Sequence, residues 1–351
     1  MAAYTTVNKS TNFFNTKIYT GNGGTNAITG VGFQPDMIWC KARSYNDDHT
    51  ITDAVRGNTK VVYPNSSNAE ATSSSRVTAF GTDGFTLGAS GDVNSNSSNY
   101  VSWNWKAGTG QGSSNTDGSI NTTYTSVNTT SGVSISKYDG TGSGATVGHG
   151  LGATPKMIMW KRLDNNAGTT DWLVQSPIWA NRNKLILNTN EALAYSSTYA
   201  NVDNWSNSVF TLGTHAAQNA SNGTYIAYAF AEVRGFSKFG TFAATNHANG
   251  PLIYTGFKPG LVIFKRTDST GNWHMYDNKR AGYNELNYRL RADTNEDEES
   301  SSNDLIDIVS NGIKIRSNQT SLNNHTGTVM YMAFAAEPLV DSTGSTPATA
   351  R

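Results

Sequence analysis

Apolar residues along this chain come in short runs broken by Gly, Asn, Ser and Thr, and two kinds of run recur three times. The first kind alternates. In "NYVSWNWKAG" (99–108), "GTYIAYAFAE" (223–232) and "GTVMYMAFAAE" (327–337), the large side chains of Val101, Trp103 and Trp105, of Ile226, Tyr228 and Phe230, and of Met330, Met332 and Phe334 fall on every second residue. Period two predicts a strand with one heavy face turned to a core, while small or polar residues such as Ser102, Asn104, Ala227 and Ala229 occupy the other face. The second kind does not alternate. "GVGFQPDMIWCKAR" (30–43), "HGLGATPKMIMWKR" (149–162) and "YTGFKPGLVIFKR" (254–266) each place a Gly three residues before a Pro and a Lys six residues after it: Gly32, Pro35 and Lys41; Gly152, Pro155 and Lys161; Gly256, Pro259 and Lys265. The unbroken run predicts a strand buried on both faces, entered through a Gly turn, opened by Pro at its first residue, and returned to water by the Lys.

Order and spacing are kept as well as wording. Pro35 precedes Trp105 by 70 residues, and Pro155 and Pro259 precede Phe230 and Phe334 by 75 each. A third shared piece, "DGFTLG" (83–88), "SVFTLG" (208–213) and "NGIKIR" (311–316), sits about 20 residues before each closing aromatic. These are three copies of one unit. Helical periodicity is weak, with short turns expected only near "ITDAVRG" (51–57) and "NTNEALAYSS" (188–197). The expected class is all-β: three tandem antiparallel β-sandwich, jelly-roll-like domains at 1–108, 133–235 and 236–340. The Gly/Ser/Thr/Asn-rich segment 109–132 reads as a linker or an arm along a neighbour, and 341–351 as an extended tail. Because "RGFSKFGTF" (234–242) joins the last two copies without a spacer, those two are expected to pack together more rigidly than either packs with the first.

Composition narrows the function. Lys and Arg total 26 against 26 Asp and Glu, and charged residues make up 15% of the chain, so there is no basic footprint for nucleic acid. No apolar run reaches the roughly 20 residues of a membrane helix, and the first residues lack the head and apolar stretch of a signal peptide. Cys40, the one cysteine, lies inside an apolar run and reads as a buried strand residue.

Catalytic patterns are missing from the sequence. The glycine clusters at 108–114 and 140–148 do not match a dinucleotide loop, the six His have no zinc-pair spacing, and neither catalytic nor cofactor-binding residues are assigned. Two acidic loops are candidate cation sites, with Asp47 and Asp48 in one and Asp293 and Glu296 in the other; solvated loops, or for the second a subunit contact, are the competing readings. Trp103, Trp105, Tyr228, Phe230, Met332 and Phe334 are expected in the core. Trp172, Trp179, Trp205 and Trp273, beside polar stretches, are expected to cap core edges, with stacking on a sugar ring as the alternative.

The phrases "GATVGHGLGATPKMIMWKR", "GFSKFGTF", "GPLIYTGFKPGLVIFKRTDSTGNWHMYDNKR" and "YMAFAAEPLVDSTGSTPATAR" resemble a family of tandem β-domain proteins of tailed bacteriophages, especially marine ones, described as tail fibre or virion structural proteins. The resemblance runs from about residue 19 to the C-terminus. It implies a non-enzymatic virion protein on tail or capsid surface, made in the host cytoplasm without a signal peptide. Other virion proteins are the implied partners, a host-surface glycan the implied ligand, and a homo-oligomer, expected as a trimer, the implied assembly; no nucleic acid, membrane insertion or cofactor is implied. Relatives are often longer, with an N-terminal attachment region, whereas here the first copy begins almost at once. That difference makes a capsid decoration or head-fibre protein the second expectation, and a glycan depolymerase is the third.

Overall fold

The structure is a computed structural model that describes residues 4–166, 168, 170–300, 302–303 and 305–340; the tail expected at 341–351 lies outside the described residues. It is an all-β protein of antiparallel sandwiches. The first copy contributes β1 (Phe14–Thr20), β2 (Asn26–Ile28), β3 (Met37–Ala42), β4 (Thr50–Asp53), β5 (Lys60–Val61), β6 (Ala71–Thr72), β7 (Val77–Gly81), β8 (Gly84–Leu87) and β9 (Asn99–Trp105). The second contributes β10 (Tyr124–Asn128), β11 (Val133–Asp139), β12 (Ala145–Gly148), β13 (Met157–Arg162), β14 (Leu173–Gln175), β15 (Asn183–Ile186), β16 (Ala194–Tyr195), β17 (Val209–Leu212) and β18 (Thr224–Phe230). The third contributes β19 (Ser237–Ala243), β20 (Leu252–Tyr254), β21 (Phe257–Arg266), β22 (Trp273–Asp277), β23 (Tyr288–Arg291), β24 (Glu299–Ser300), β25 (Ile306–Val309), β26 (Gly312–Ile315) and β27 (Thr328–Pro338).

One strand order repeats. The broad sheets read β1-β9-β3-β4, β11-β18-β13-β14 and β19-β27-β21-β22, so the alternating and the unbroken run of each copy pair side by side at the sheet centre. Opposite them lie small sheets β2-β8-β7, β12-β17 and β20-β26-β25, built from the third shared piece. Among the described residues, helices are confined to α1 (Gly91–Asn94) and α2 (Ala216–Asn219) and to 3-10 turns. Of the two expected helical turns, the one near 51–57 forms as a single turn closed by the Gly57 amide on the Asp53 carbonyl after β4, whereas 188–197 contains β16 instead. No helix among the described residues is long and apolar enough to cross a membrane.

The heavy face of each closing strand points away from its own sandwich. Val101, Trp103 and Trp105 cluster with Ile226, Tyr228 and Phe230, with Met330, Met332 and Phe334, and with Met37, Trp39, Met157, Met159, Leu261 and Ile263. Sandwich interiors are lined instead by the opposite face, with Ile38 and Cys40 in the first copy and Ile158, Trp160, Ala227 and Ala229 in the second. Small residues on that face let the two sheets of a copy approach closely, and the large ones fill a centre shared by three broad sheets. At its middle the equivalent residues Trp105, Phe230 and Phe334 meet, with ring centroids 6.5, 5.4 and 5.5 Å apart. The six expected core residues are all buried there.

The expectation of a bare linker at 109–132 changes accordingly. Residues 124–128 form β10, which extends the second broad sheet along β11, and Ile120 is buried against Val147. Asp36 accepts hydrogen bonds from the amides of Ala107, Thr109 and Gly110, fixing the start of the segment. The first copy, like the others, is packed into the shared centre, through Phe14 and Trp105 on Phe334.

Candidate functional site

The Gly-x-x-Pro-Lys motif is a building device used three times, each copy leading into the central strand of its own broad sheet. Gly32, Gly152 and Gly256 have φ of +95°, +69° and +80°, a backbone region that a β-carbon disfavours. Pro35 and Pro155 stand two residues before β3 and β13, whereas Pro259 lies within β21 at a break in register, where its missing N–H leaves no ladder bond unmade. The lysines do not return the chain to water. Lys41, Lys161 and Lys265 are fully buried, because strand parity puts them on the same face as Trp39, Met159 and Ile263. Burial pulls each amine down to about 8. The ammonium groups donate to backbone carbonyls: Ala42 for Lys41, Ser67 and Thr170 for Lys161, Asn190 and Arg266 for Lys265.

Ser67 belongs to the first copy and Asn190 to the second, and this hand-over from copy to copy is general. The amides of Glu70, Leu193 and Glu298 donate to the carbonyls of Leu163, Thr267 and Arg43, linking first to second, second to third and third back to first. Trp172 and Trp273 donate their indole N–H to the carbonyls of Tyr63 and Ile186 at 2.8 and 2.9 Å. His49 takes the same place in the first copy. Its Nδ1 accepts from the Trp39 indole, so its Nε2 donates to the Arg291 carbonyl, each at 2.9 Å. Burial holds the His49 pKa well below its ordinary value, consistent with this neutral tautomer. Trp172, Trp179, Trp205 and Trp273 are thus buried and offer no open ring face for a sugar.

The acidic candidates are consumed by structure. Asp48 accepts from the Asn65 amide, whose oxygen holds the His49 backbone N–H; Asp171 and Asn188 do the same for Trp172. In the third copy the pair is exchanged, with Asp293 holding the Trp273 N–H and accepting from Asn272. Glu296 pairs with Arg291, and Asp47 accepts from the Asp48 amide. Among the described residues no group of three or more His, Cys, Asp or Glu is placed to hold a metal. Cys40 is buried and its thiol pushed up to about 12, which removes a reactive thiolate at neutral pH.

Sequence reading missed the ion triads of the seams. Asp53 and Arg56 pair at 2.5 Å with Glu70 at 3.2 Å from the same guanidinium, and the Tyr228 hydroxyl donates to Asp53. Asp277, Arg280 and Glu298 repeat the arrangement at 2.6 and 3.0 Å, with the Trp103 indole donating to Asp277. Burial disfavours the Arg280 charge, but the Asp277 and Glu298 carboxylates outweigh it and raise its pKa. In the second copy the corresponding residues are Ser176, Trp179 and Leu193, and the residue matching Trp103 and Tyr228 is Met332, which has no proton to donate. The seam is therefore solved twice with buried charge and once with apolar packing.

The second copy also departs from the others on its outer surface. Among the described residues its small sheet has two strands, β12 and β17, where the others have three; a 3-10 turn at Val202–Asn204 replaces the third. A groove of about 570 Å³ opens there, lined by hydroxyls and amides such as Thr146, Ser197, Asn201 and Thr211 together with Arg182. A second groove of about 360 Å³ lies beside it and contains Asp171, Lys184, Glu191, Tyr199 and His215. Lys184 and Glu191 pair at 3.2 Å, and the His215 ring packs on Tyr199 at 4.6 Å. Burial raises Tyr199 and lowers His215, so both are neutral near pH 7. Grooves with this polar lining suit a hydroxyl-rich ligand.

No curated protein and no solved structure matches the chain. A family match runs from residue 9 to residue 338, through all three copies. The chain belongs to that family, described as Domain of unknown function (DUF7483).

Proposed function

We propose that this protein is a non-enzymatic bacteriophage virion protein, a tail-fibre or receptor-binding component that contacts a host-surface glycan. The observation that carries the reading is the outer face of the second copy, where a rigid sandwich leaves a recessed groove lined by hydroxyls and amides. A chain of net charge zero and low charge content supports contact with neutral or weakly charged polymers over contact with nucleic acid. The sequence resemblance to phage virion proteins supports the setting, and other virion proteins are the partners at its base. Self-association, with a trimer as the expected form, belongs to the same proposal. The broad strand faces are already covered within one chain, so self-association uses outer surfaces, and light scattering reads the mass directly. Many weak contacts made together would supply the adhesive strength.

Gold-labelled antibody on intact particles tests the setting: label on the tail fits adhesion, label over the head makes it a decoration protein, and no label rejects a virion role. Competition of phage adsorption by the purified protein tests the contact. A depolymerase is the second reading, favoured by the carboxylates of Asp171 and Glu191 in one groove. Release of reducing ends from host polysaccharide, lost in Glu191→Gln, would establish it.

A further inference from the structure

We infer that the groove around Arg182 in the second copy binds a carboxylate-bearing sugar of a surface glycan. The inference rests on the adhesin reading for its biological setting, though not for its chemistry.

Arg182 is unlike the other arginines. Among the described residues, Arg43, Arg56, Arg76, Arg162, Arg266, Arg280, Arg289, Arg291 and Arg316 each have a carboxylate partner, and Arg234 stacks on Tyr4. Arg182 has neither. Its Nη1 donates to the carbonyls of Ser197 and Tyr199, both at 2.7 Å, so the guanidinium is held in place before any ligand arrives. Nε and Nη2 have no partner among the described residues and remain as a two-donor edge of the kind that matches a carboxylate. The backbone there is also costly: Arg182 has φ of +60°, a region that non-glycine residues seldom enter.

The surroundings select the ligand. No acidic residue lines this groove, so the free donors meet no internal carboxylate, and a single cation fits one anionic group better than a polyanion. Thr146, Asn201, Asn204 and Thr211 supply donors and acceptors for several hydroxyls, and Ala145 and Leu212 give the apolar patch on which a sugar ring face can rest. A volume of about 570 Å³ lies in the range of small-molecule sites. Symmetry gives an independent pointer. Strand register puts Thr59 and Asn287 at the positions matching Arg182, so the cation occurs in the one copy whose small sheet is open. A purely structural role would not require both departures at the same place.

The test uses the full chain and isothermal titration with galacturonate and sialyllactose, each carrying one carboxylate, with lactose as the neutral control. At least one acidic probe should bind saturably, about ten-fold or more tighter than lactose, since a bidentate charge-assisted contact is worth at least that factor. Arg182→Gln should remove the preference for acid while keeping the unfolding temperature, and Thr214→Trp, which fills the groove and leaves Arg182 in place, should abolish binding. Binding of neither acidic probe, equal binding of acidic and neutral probes, or undiminished binding by both folded variants overturns the inference. Adsorption competition separates this from the adhesin reading. A protein that blocks adsorption regardless of Arg182 keeps the adhesin and loses this site, whereas Arg182-dependent sugar binding without any block keeps the site and loses the adhesin.

Discussion

Removing one arginine from a seam should cost more than removing the whole polar arrangement. Arg280 and Asp277 pair at 2.6 Å with side chains 1% and 0% exposed, and the same guanidinium also holds Glu298 and the Met275 carbonyl. Arg280→Met leaves the Asp277 carboxylate buried without a cation, held only by the Trp103 indole and the amides of Lys279 and Arg280. Breaking a buried pair in this way costs about 3–5 kcal/mol. For a cooperative chain of 351 residues, an unfolding entropy of roughly 0.7 kcal/mol/K turns that into a fall of about 5 °C in Tm. The second copy shows a different solution at the same place, so the combined variant Trp103→Met, Asp277→Ser, Arg280→Trp, Glu298→Leu should regain more than half of the loss. Arg43, which loses Glu298 in that variant, is 18% exposed and turns to water. Urea unfolding of the wild type, Arg280→Met, the four single variants and the combination measures the loss and the coupling directly. A combined loss equal to the sum of the single losses would refute the reasoning, because it would mean that the four residues do not act as one unit.

Two further outcomes are expected. Trp105→Ala should cost roughly 3–5 kcal/mol by opening a cavity where three copies meet, whereas Trp105→Phe, which matches Phe230 and Phe334 and removes an indole N–H that has no partner among the described residues, should cost less than about 1.5 kcal/mol; equal losses in denaturant melts would place Trp105 outside that centre. For Lys161, whose folded pKa of about 8 lies below the ordinary 10.5, the unfolded chain binds the extra proton between those values, so stability contributed at this site rises with pH across that window. The stability difference between wild type and Lys161→Met should therefore shift toward wild type by about 3 kcal/mol from pH 7.5 to 10.5, and a difference independent of pH would show that the amine is not desolvated.

The all-β class and the strands at the recurring phrases, β3, β13 and β21 and β9, β18 and β27 among them, were legible because alternation and spacing survive in the residue pattern. The destination of the heavy face was not, since parity says which residues share a face but not which neighbour covers it; Trp103, Tyr228 and Met332 look alike as core residues of three separate sandwiches or of one shared centre. Lys41, Lys161 and Lys265 were misread for a related reason. A lysine closing an apolar run usually extends its amine to water, yet counting by twos from Met37, Met157 and Leu261 puts all three on the central face, where only backbone carbonyls receive them. Asp48 and Asp293 resembled cation ligands because acidic loops do, and their exchange of roles with Asn65 and Asn272 emerges only when strand register aligns the copies. Arg182 carried no motif at all. Its signal was a difference from Thr59 and Asn287, readable once the three copies are superposed by register.

Covalent repetition matters for what such a protein can become. Three identical subunits around an axis must repeat every residue three times, so a groove opened on one face opens on all, and the axis must be filled by three equal side chains. One chain with three copies escapes that constraint. It can place Trp105 beside Phe230 and Phe334, satisfy two seams with buried ion triads and a third with Ser176, Trp179 and Leu193, and leave β17 without a third strand in a single copy. The common centre then supplies rigidity, because each broad sheet is covered by the other two, and the outer faces are free to differ. Function in such a frame should be sought where symmetry fails at the surface with no compensating contact inside. The triads fail that criterion, since Met332 accompanies the apolar seam and accounts for it. The Arg182 groove meets it.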